Sequence, residues 1–334
     1  MAFGTAGNPA RFGTDTASTS DRELFLKMFG GEVLNAYQEK VLMKDKHKVV
    51  TIQSGKSFQF PKTWKATSEY LTAGQEMLGN DIDTTEVNIT VDALNVAHVD
   101  IYDFDQKMAH FEVRSEFAQE LGRACARTYD LNVMRSIILA SRSAADGVFP
   151  GGLTAEEDVL LVAAPTTDAQ KLAWFNAILS ANEKMFAADV PEDVERYMLV
   201  PKPVFNGLRY AVDSNGNYLV ANREFNAAAH GVNRALQVLE IDGVKVMPQR
   251  TIPSTDERAD TSVYSKYRAA YDTTTGIMWT PDAVGTVELV GLNMEEERDT
   301  RRQSNFMVAK QGVGHGTLRG ECAIEFRTGA PTTA

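Results

Sequence analysis

Cysteine is nearly absent from this 334-residue chain, which has only Cys125 and Cys322. A small scaffold stapled by disulfides needs several closely spaced pairs, so two distant thiols point to a reducing, cytoplasm-like setting. Long hydrophobic runs are also missing. No apolar stretch approaches the ~18 residues of a membrane span, and the opening MAFGTAGNPARFG has no apolar core of a signal peptide. Lys and Arg never run beyond two in a row, and 45 acidic residues outweigh 34 basic ones for a net charge of −11. A chain that grips phosphates carries a basic face, so any DNA partner is expected to be enclosed or held at a distance. The acidic excess favours solubility of the free chain.

Catalytic and metal motifs are missing as well. The histidines are His47, His98, His110, His230 and His315, and none has the spacing of a zinc site. No Gly-x-Ser-x-Gly elbow occurs. Gly55-Lys56-Ser57 looks like the end of a phosphate-binding loop. The glycine required five residues earlier is Val50, however, and Phe58-Gln59-Phe60-Pro61 reads as extended, so a polar bend is expected. Gly312, Gly314 and Gly316 flank His315 without the dinucleotide spacing, and they read as a loop that needs glycine freedom. Asp103-x-Asp105 sits where a helix begins and reads as a cap rather than a Mg²⁺ site. His110-x-Glu112 reads as a solvated helix flank. The sequence therefore predicts no catalytic residue, no cofactor and no metal.

What is present is pattern. Apolar residues make up 43% of the chain, enough for a core. The length exceeds the roughly 250–300 residues at which single cores stop growing, so two lobes are expected. Residues 1–19 are small and polar and read as a flexible arm. Ser20 and Glu23 form a capping box ahead of a helical stripe of Leu26, Phe29, Val33, Tyr37 and Val41, interrupted by Gly30-Gly31. Between 50 and 60 the even positions Val50, Ile52, Phe58 and Phe60 are apolar. Between 87 and 101 the odd positions Val87, Ile89, Val91, Ala97, Val99 and Ile101 are apolar. Both are period-two patterns of strands with one buried face. A loop over about 62–84, with turn formers at Gly74 and Gly79-Asn80, joins them into a long two-stranded arm. Such a ribbon is marginal alone, so the face carrying Phe58 and Phe60 is expected to need cover from outside.

The period then changes. Met108, Phe111, Phe117, Leu121, Cys125, Met134 and Ile138 mark a helix running to about Ser141. It is on the order of 50 Å long and ends before Gly147 and Pro150-Gly151-Gly152. From 151 to 275 helix and strand alternate. Leu172, Phe175, Ile178, Leu179, Met185 and Phe186 suit a helix. Tyr197 to Val200 suits a strand stopped by Pro201 and Pro203. Leu239 and Ile241, Asp242-Gly243, then Val244 and Val246 suit a tight hairpin. Strands are expected at 277–279, 284–289 and 323–326. A mixed-sign cluster comprises Glu295, Glu296, Glu297, Arg298, Asp299, Arg301 and Arg302. A solvated face is the plain reading of it. Bidentate pairing of its arginines with carboxylates of a neighbouring chain is the other.

Several segments are recognisable: LFLKMFGGEVLNA (24–36), SGKSFQFP (54–61), YLTAG (70–74), DIDTTEVNITVD (81–92), DIYDFDQKMAHFEVRSE (100–116) and AVGTVELVGLNMEEERDTRRQSNFMVAKQGVGHGTLRGE (283–321). Their sequence and order resemble the major capsid proteins of short-tailed T-odd podoviruses, the Autographiviridae. Residues 1–23 lie outside this resemblance, and 142–275 share only length and general pattern. The resemblance implies an α+β, Hong Kong 97-like phage capsid fold. Its parts would be an N-terminal arm (1–48), an extended β-hairpin loop (49–102), a peripheral domain with a long spine helix (103–150 and 276–334), and an axial domain (151–275). It further implies a structural subunit that self-assembles into hexamers and pentamers of an icosahedral virion capsid in the host bacterial cytoplasm. The implied partners are a scaffolding protein, a portal protein and packaged double-stranded DNA enclosed without sequence-specific binding; no membrane is implied. Shell expansion would be a switch between two packings of the same parts. On this reading Phe58, Phe60, Arg298, Arg301 and Arg302 are candidate intersubunit contacts. An encapsulin-type cellular compartment shares the fold, but the podovirus segments weigh against it. An acidic soluble enzyme with an unrecognised site is the more distant reading.

Overall fold

The computed structural model describes residues 41–71, 74, 76, 79, 81–102, 114–145, 149–153, 155–212 and 239–331. The expected arm and capping box at 1–40, the Asp103/Asp105 cap, His110 and His230 lie outside the described residues. Twelve strands and three α-helices are described. The chain runs through β1 (Lys48–Thr51), β2 (Ser57–Thr63), β3 (Thr84–Thr90), β4 (Asn95–Tyr102) and α1 (Arg114–Ser141). It continues through β5 (Glu156–Glu157), α2 (Asp168–Ala187), β6 (Arg196–Val200) and α3 (Lys202–Arg209). It closes with β7 (Leu239–Ile241), β8 (Val244–Pro248), β9 (Thr274–Trp279), β10 (Val284–Asp299), β11 (Ser304–Thr317) and β12 (Ala323–Arg327).

The strands form three sheets: four-stranded β1-β10-β11-β4, six-stranded β5-β12-β9-β6-β8-β7, and the two-stranded ribbon β2-β3. Helix α1 serves both large sheets. Its first half packs Ala118, Leu121 and Cys125 on Ile101, Met307 and Ala309 of the four-stranded sheet. Its second half sends Val133, Met134, Ile137 and Ile138 into the main core with Trp279, Ile324 and Phe326. At 28 residues the described helix is about 42 Å long, long enough to span both. Its C-terminal end is tied to β12 by a bidentate pair, Arg142 to the fully buried Glu325.

The six-stranded sheet holds the larger core. Every residue of β6 and β9 is buried, so each strand ends in consecutive apolar residues, Met198, Leu199 and Val200 in β6 and Ile277, Met278 and Trp279 in β9, rather than alternating. Helix α2 covers the sheet with Trp174, Ile178, Ala181 and Met185. It starts at a capping box in which the Gln170 N–H donates to Thr167 Oγ1 and the Thr167 N–H donates to Gln170 Oε1. The β7–β8 hairpin pairs Leu239 with Val246 and Ile241 with Val244 across Asp242-Gly243. Both turn residues have positive φ, 52° and 74°, the conformation a two-residue hairpin favours.

Three differences from the sequence reading stand out. The apolar run at 50–60 is not one strand. It breaks at Gly55 (φ 111°), and β1 leaves the ribbon to lie parallel to β10. The run at 87–101 breaks in the same way, and β4 pairs antiparallel with β11. The glycine-rich stretch 312–316 is not a loop but lies in the second half of β11, paired with β10 across a register shift between Glu288 and Val290. Finally, β9 and β12 belong to the six-stranded sheet with β6 and β8, while β10 and β11 belong to the other.

Candidate assembly surface

The ribbon pairs Ser57 with Thr90 at its base and Thr63 with Thr84 toward its tip, and the Trp64 N–H donates to Asp83 O to extend it. Alternation gives it two unlike faces. Ser57, Gln59 and Thr63 are exposed on one. Phe58 opposite Ile89 and Phe60 opposite Val87 form the other. That apolar face lies on the four-stranded sheet of the same chain. Phe60, Ile89 and Val287 close a small core, and Val50, Ile52, Val91 and Leu318 pack around it. Phe58 is half-buried at its border, its ring 5.0 Å from that of Phe60 in an edge-on arrangement.

The β11 glycines explain how a ribbon lies so close to a sheet. A Cβ on Gly314 would stand 2.1 Å from Thr90 O, and one on Gly316 would stand 2.8 Å from Ile89 Cγ1. These residues are glycine because β3 crosses over them, not because a loop bends there. Gly314→Ala is therefore expected to lift the ribbon base and lower the stability of the free chain by about 1–3 kcal/mol. Urea unfolding checks this, and wild-type stability in the variant would mean that the ribbon does not rest on β11.

The face carrying Phe58 and Phe60 is expected to need cover from outside the ribbon. In the single chain Phe60 is 9% exposed, with Val287 and Ile89 of the same chain packed on it. The ribbon has no second layer of its own, and the chain's four-stranded sheet supplies one.

Further out, the ribbon is fastened by polar contacts. The Lys62 ammonium lies 3.8 Å from the buried Glu321 carboxylate and 4.4 Å above the Phe149 ring. Trp64 meets Phe149 edge-on at 5.5 Å, Arg319 Nη2–H donates to Thr63 O at 3.2 Å, and Lys65 pairs with Asp189. Beyond Lys65 the character changes: Tyr70 is 104%, Leu71 57% and Ile82 45% exposed. The segments YLTAG and DIDTTEVNITVD that hold these three carry the family resemblance, but none of the three is among the contacts expected from the sequence. Beyond that resemblance, their only signal is large apolar side chains in a stretch without periodicity, where no partner within the chain is implied.

The arginines gather at the other candidate surface, the end of the β10–β11 hairpin. Arg298 stands opposite Asn305, and Arg301 and Arg302 occupy the turn. There the Asp299 carboxylate accepts both of their backbone N–H groups, at 2.9 and 3.3 Å. All three arginines are exposed. The structure thus brings Arg298, Arg301 and Arg302 to one hairpin end, and places Phe58 and Phe60 on the ribbon.

Little of this resembles a reaction centre. Among the described residues no group of three or more His, Cys, Asp or Glu is placed to hold a metal ion. Both cysteines are buried, and burial pushes each thiol up to about 11, the opposite of what a nucleophile needs.

Comparison with known proteins shows the family. The family described as Gp10A-like major capsid protein matches residues 59–327. The chain is 30% identical over 315 residues to the major capsid protein of Escherichia phage T7, covering 90% of each. It superposes on the capsid structure of the Cyanophage P-SCSP1u with a TM-score of 0.70 and 31% identity, over 98% of this chain and 99% of that one. The mature capsid of bacteriophage PhiM1 shares the fold, with a TM-score of 0.68 and 17% identity over 86% of each chain.

Proposed function

Given that this chain belongs to the Gp10A-like major capsid proteins, we propose how its surfaces divide the work of building the shell. The protein is a phage capsid subunit, a structural protein of the virion with the Hong Kong 97-like fold, and not an enzyme. In the proposed division, 49–102 is the extended loop, and 103–150 with 276–334 form the peripheral domain around α1. Residues 151–275 form the axial domain, and 1–48 the N-terminal arm. Subunits gather into hexamers and pentamers. Scaffolding and portal proteins guide assembly in the host cytoplasm, and double-stranded DNA fills the interior without sequence-specific contacts.

The observation that supports this reading is the contrast along the ribbon. Its base is sealed on its own chain, while Tyr70, Leu71 and Ile82 at the far end are bare. In a shell of identical copies, an exposed apolar tip has another copy as its natural cover. A head-to-tail contact of this kind closes into rings when the rotation closes, and several modest contacts reinforce one another once one is made. The net charge of −11 fits a wall that encloses DNA rather than gripping it. Electron microscopy of purified particles tests the whole. Closed shells with DNA and a portal at one vertex are expected, and particles holding an enzyme cargo would overturn the reading.

The arginine cluster is proposed as a second intersubunit contact. An exposed pair contributes only about 0–1 kcal/mol, so a clear effect requires pairing in a network across the contact. Arg298→Glu, Arg301→Glu and Arg302→Glu are each expected to leave the melting temperature of the free chain unchanged and to lower the yield of shells. Normal assembly by all three variants would return the cluster to a solvated face.

A further inference from the structure

Beneath the ribbon base lies a buried polar node that no assembly surface uses. It joins His47 before β1, Thr286 on β10, His315 on β11 and Tyr129 on α1. His47, Thr286 and His315 are all buried. His47 Nδ1 is 2.6 Å from Met43 O. A carbonyl only accepts, so Nδ1 carries the proton and Nε2 of the neutral ring must accept. The groups facing Nε2 are the Thr286 hydroxyl at 2.7 Å and the Tyr129 hydroxyl at 3.3 Å. Thr286 Oγ1 is also 2.7 Å from His315 Nδ1. At that separation from His47 Nε2 the Thr286 proton must lie between them, so His315 Nδ1–H donates to Thr286. The donor chain runs one way: His315 to Thr286, Thr286 to His47, His47 to Met43 O. His315 Nε2 is left without a partner among the described residues.

This wiring has no room for another proton. Added at His315 Nε2, it creates a buried N–H with no acceptor among the described residues. Added at His47 Nε2, it turns that ring from acceptor to donor, so Thr286 faces an N–H from each ring and its own proton loses its acceptor. We propose that the Thr286-bridged pair of His47 and His315 is an acid-released lock, closed only while both rings are neutral. The lock fastens the segment before β1, and through Tyr267 the base of the ribbon, to the β10–β11 sheet.

Hydrogen bonds tie the node to its neighbours on both sides. Met43 and Leu42 donate their N–H groups to Asp130 of α1. The His315 N–H donates to Tyr267 Oη at 3.0 Å, and Tyr267 Oη–H donates to Asp92, just after β3. The other charges around the node are Asp45 on the turn before His47 and Lys266 beside Asp92. Asp45 favours a charged His47, whereas Lys266 disfavours a charged His315. Burial outweighs both, holding His47 down to about 4 and His315 well below its usual value.

The sign follows from proton counting. An opened node binds protons at the ordinary histidine value near 6.5 and the closed node does not, so opening becomes easier as the pH falls from about 6.5 toward 4. Asp130, pushed up to about 6 by burial, works the other way, because the closed form takes up its proton first. The histidine contribution is therefore isolated by variants rather than by the wild type alone. The lock belongs to a single chain and stands whether or not the ribbon docks on a neighbour.

The test uses the full-length, unassembled chain. Hydrogen exchange of the amides from 43 to 51, corrected for intrinsic rates, is compared at pH 6 and pH 5 in wild type, His47→Gln and His315→Gln. Each substitution is expected to remove a factor of about eight from the acid-induced rise in opening. The amides of α2 should not follow. Equal acid sensitivity in all three proteins would overturn the proposal. If the variants do not fold, histidine-labelled wild type is titrated by NMR. Two rings with midpoints well below 6 support the lock, and ordinary midpoints near 6.5 for every histidine would overturn it.

Discussion

Glu325→Ala is expected to lower the stability of the unassembled chain by about 3 kcal/mol or somewhat more. Glu325 sits on β12, fully buried. Its oxygens accept from Arg142 Nη2 at 2.6 Å and Nε at 2.8 Å, and the Thr274 hydroxyl of β9 donates to it as well. The third arm of Arg142 donates to Ala270 O at 2.7 Å, and its guanidinium lies over the Tyr271 ring. Removing the carboxylate strands a guanidinium that is only one-fifth exposed, which sets the cost near the lower end of the range for broken buried pairs. Replacing both partners, with Arg142→Met and Glu325→Leu, removes the stranded charge too and is expected to cost clearly less than Glu325→Ala alone. Urea unfolding of the single and double variants checks the ordering. A Glu325→Ala chain within 1 kcal/mol of wild type (the range of exposed pairs) would mean the pair does not hold α1 to the sheet.

The second large effect is on assembly. The double substitution Tyr70→Asp and Leu71→Asp is expected to abolish shell formation. It should shift the melting temperature of the free chain by less than about 2 °C, as surface changes do. Both side chains are exposed in the single chain, so the fold loses nothing. An anchor aromatic at an interface is worth about 2 kcal/mol or more, and its loss recurs at every copy. Phe58→Asp is a less clean probe. If Phe58 were covered only by a neighbouring subunit, the variant would fold normally and fail to assemble. Since Phe58 packs on Phe60, the substitution is now expected to lower stability and assembly together. Melting curves and negative-stain images of both variants distinguish the cases. Normal shells from the tip variant would remove the ribbon tip from the interface.

Much was legible in the residues themselves. Capsid-like segments occur along the chain in order, and the Gp10A-like family match spans 59–327. Local patterns located α2, the β6 strand and the β7–β8 hairpin closely, because helical periodicity, prolines and Asp-Gly turns act within a few residues. The 3.6 period found the long helix for the same reason. Period two also identified which side chains of 50–60 and 87–101 turn inward, Phe60, Ile89 and Ile101 buried and the others half-buried. It says nothing about what they are buried against. Strand pairing joins residues far apart in sequence, so only the tertiary structure decided that β1 and β4 leave the ribbon for the four-stranded sheet. The same holds for Phe60, whose cover includes Val287, and for Gly314, which must be glycine because the Thr90 backbone crosses it. The His47–Thr286–His315 node is the extreme case. Its members have no common motif or spacing, and they meet only because two sheet strands and the segment before β1 converge on one buried site, where a hydrogen bond's partner is set by packing alone.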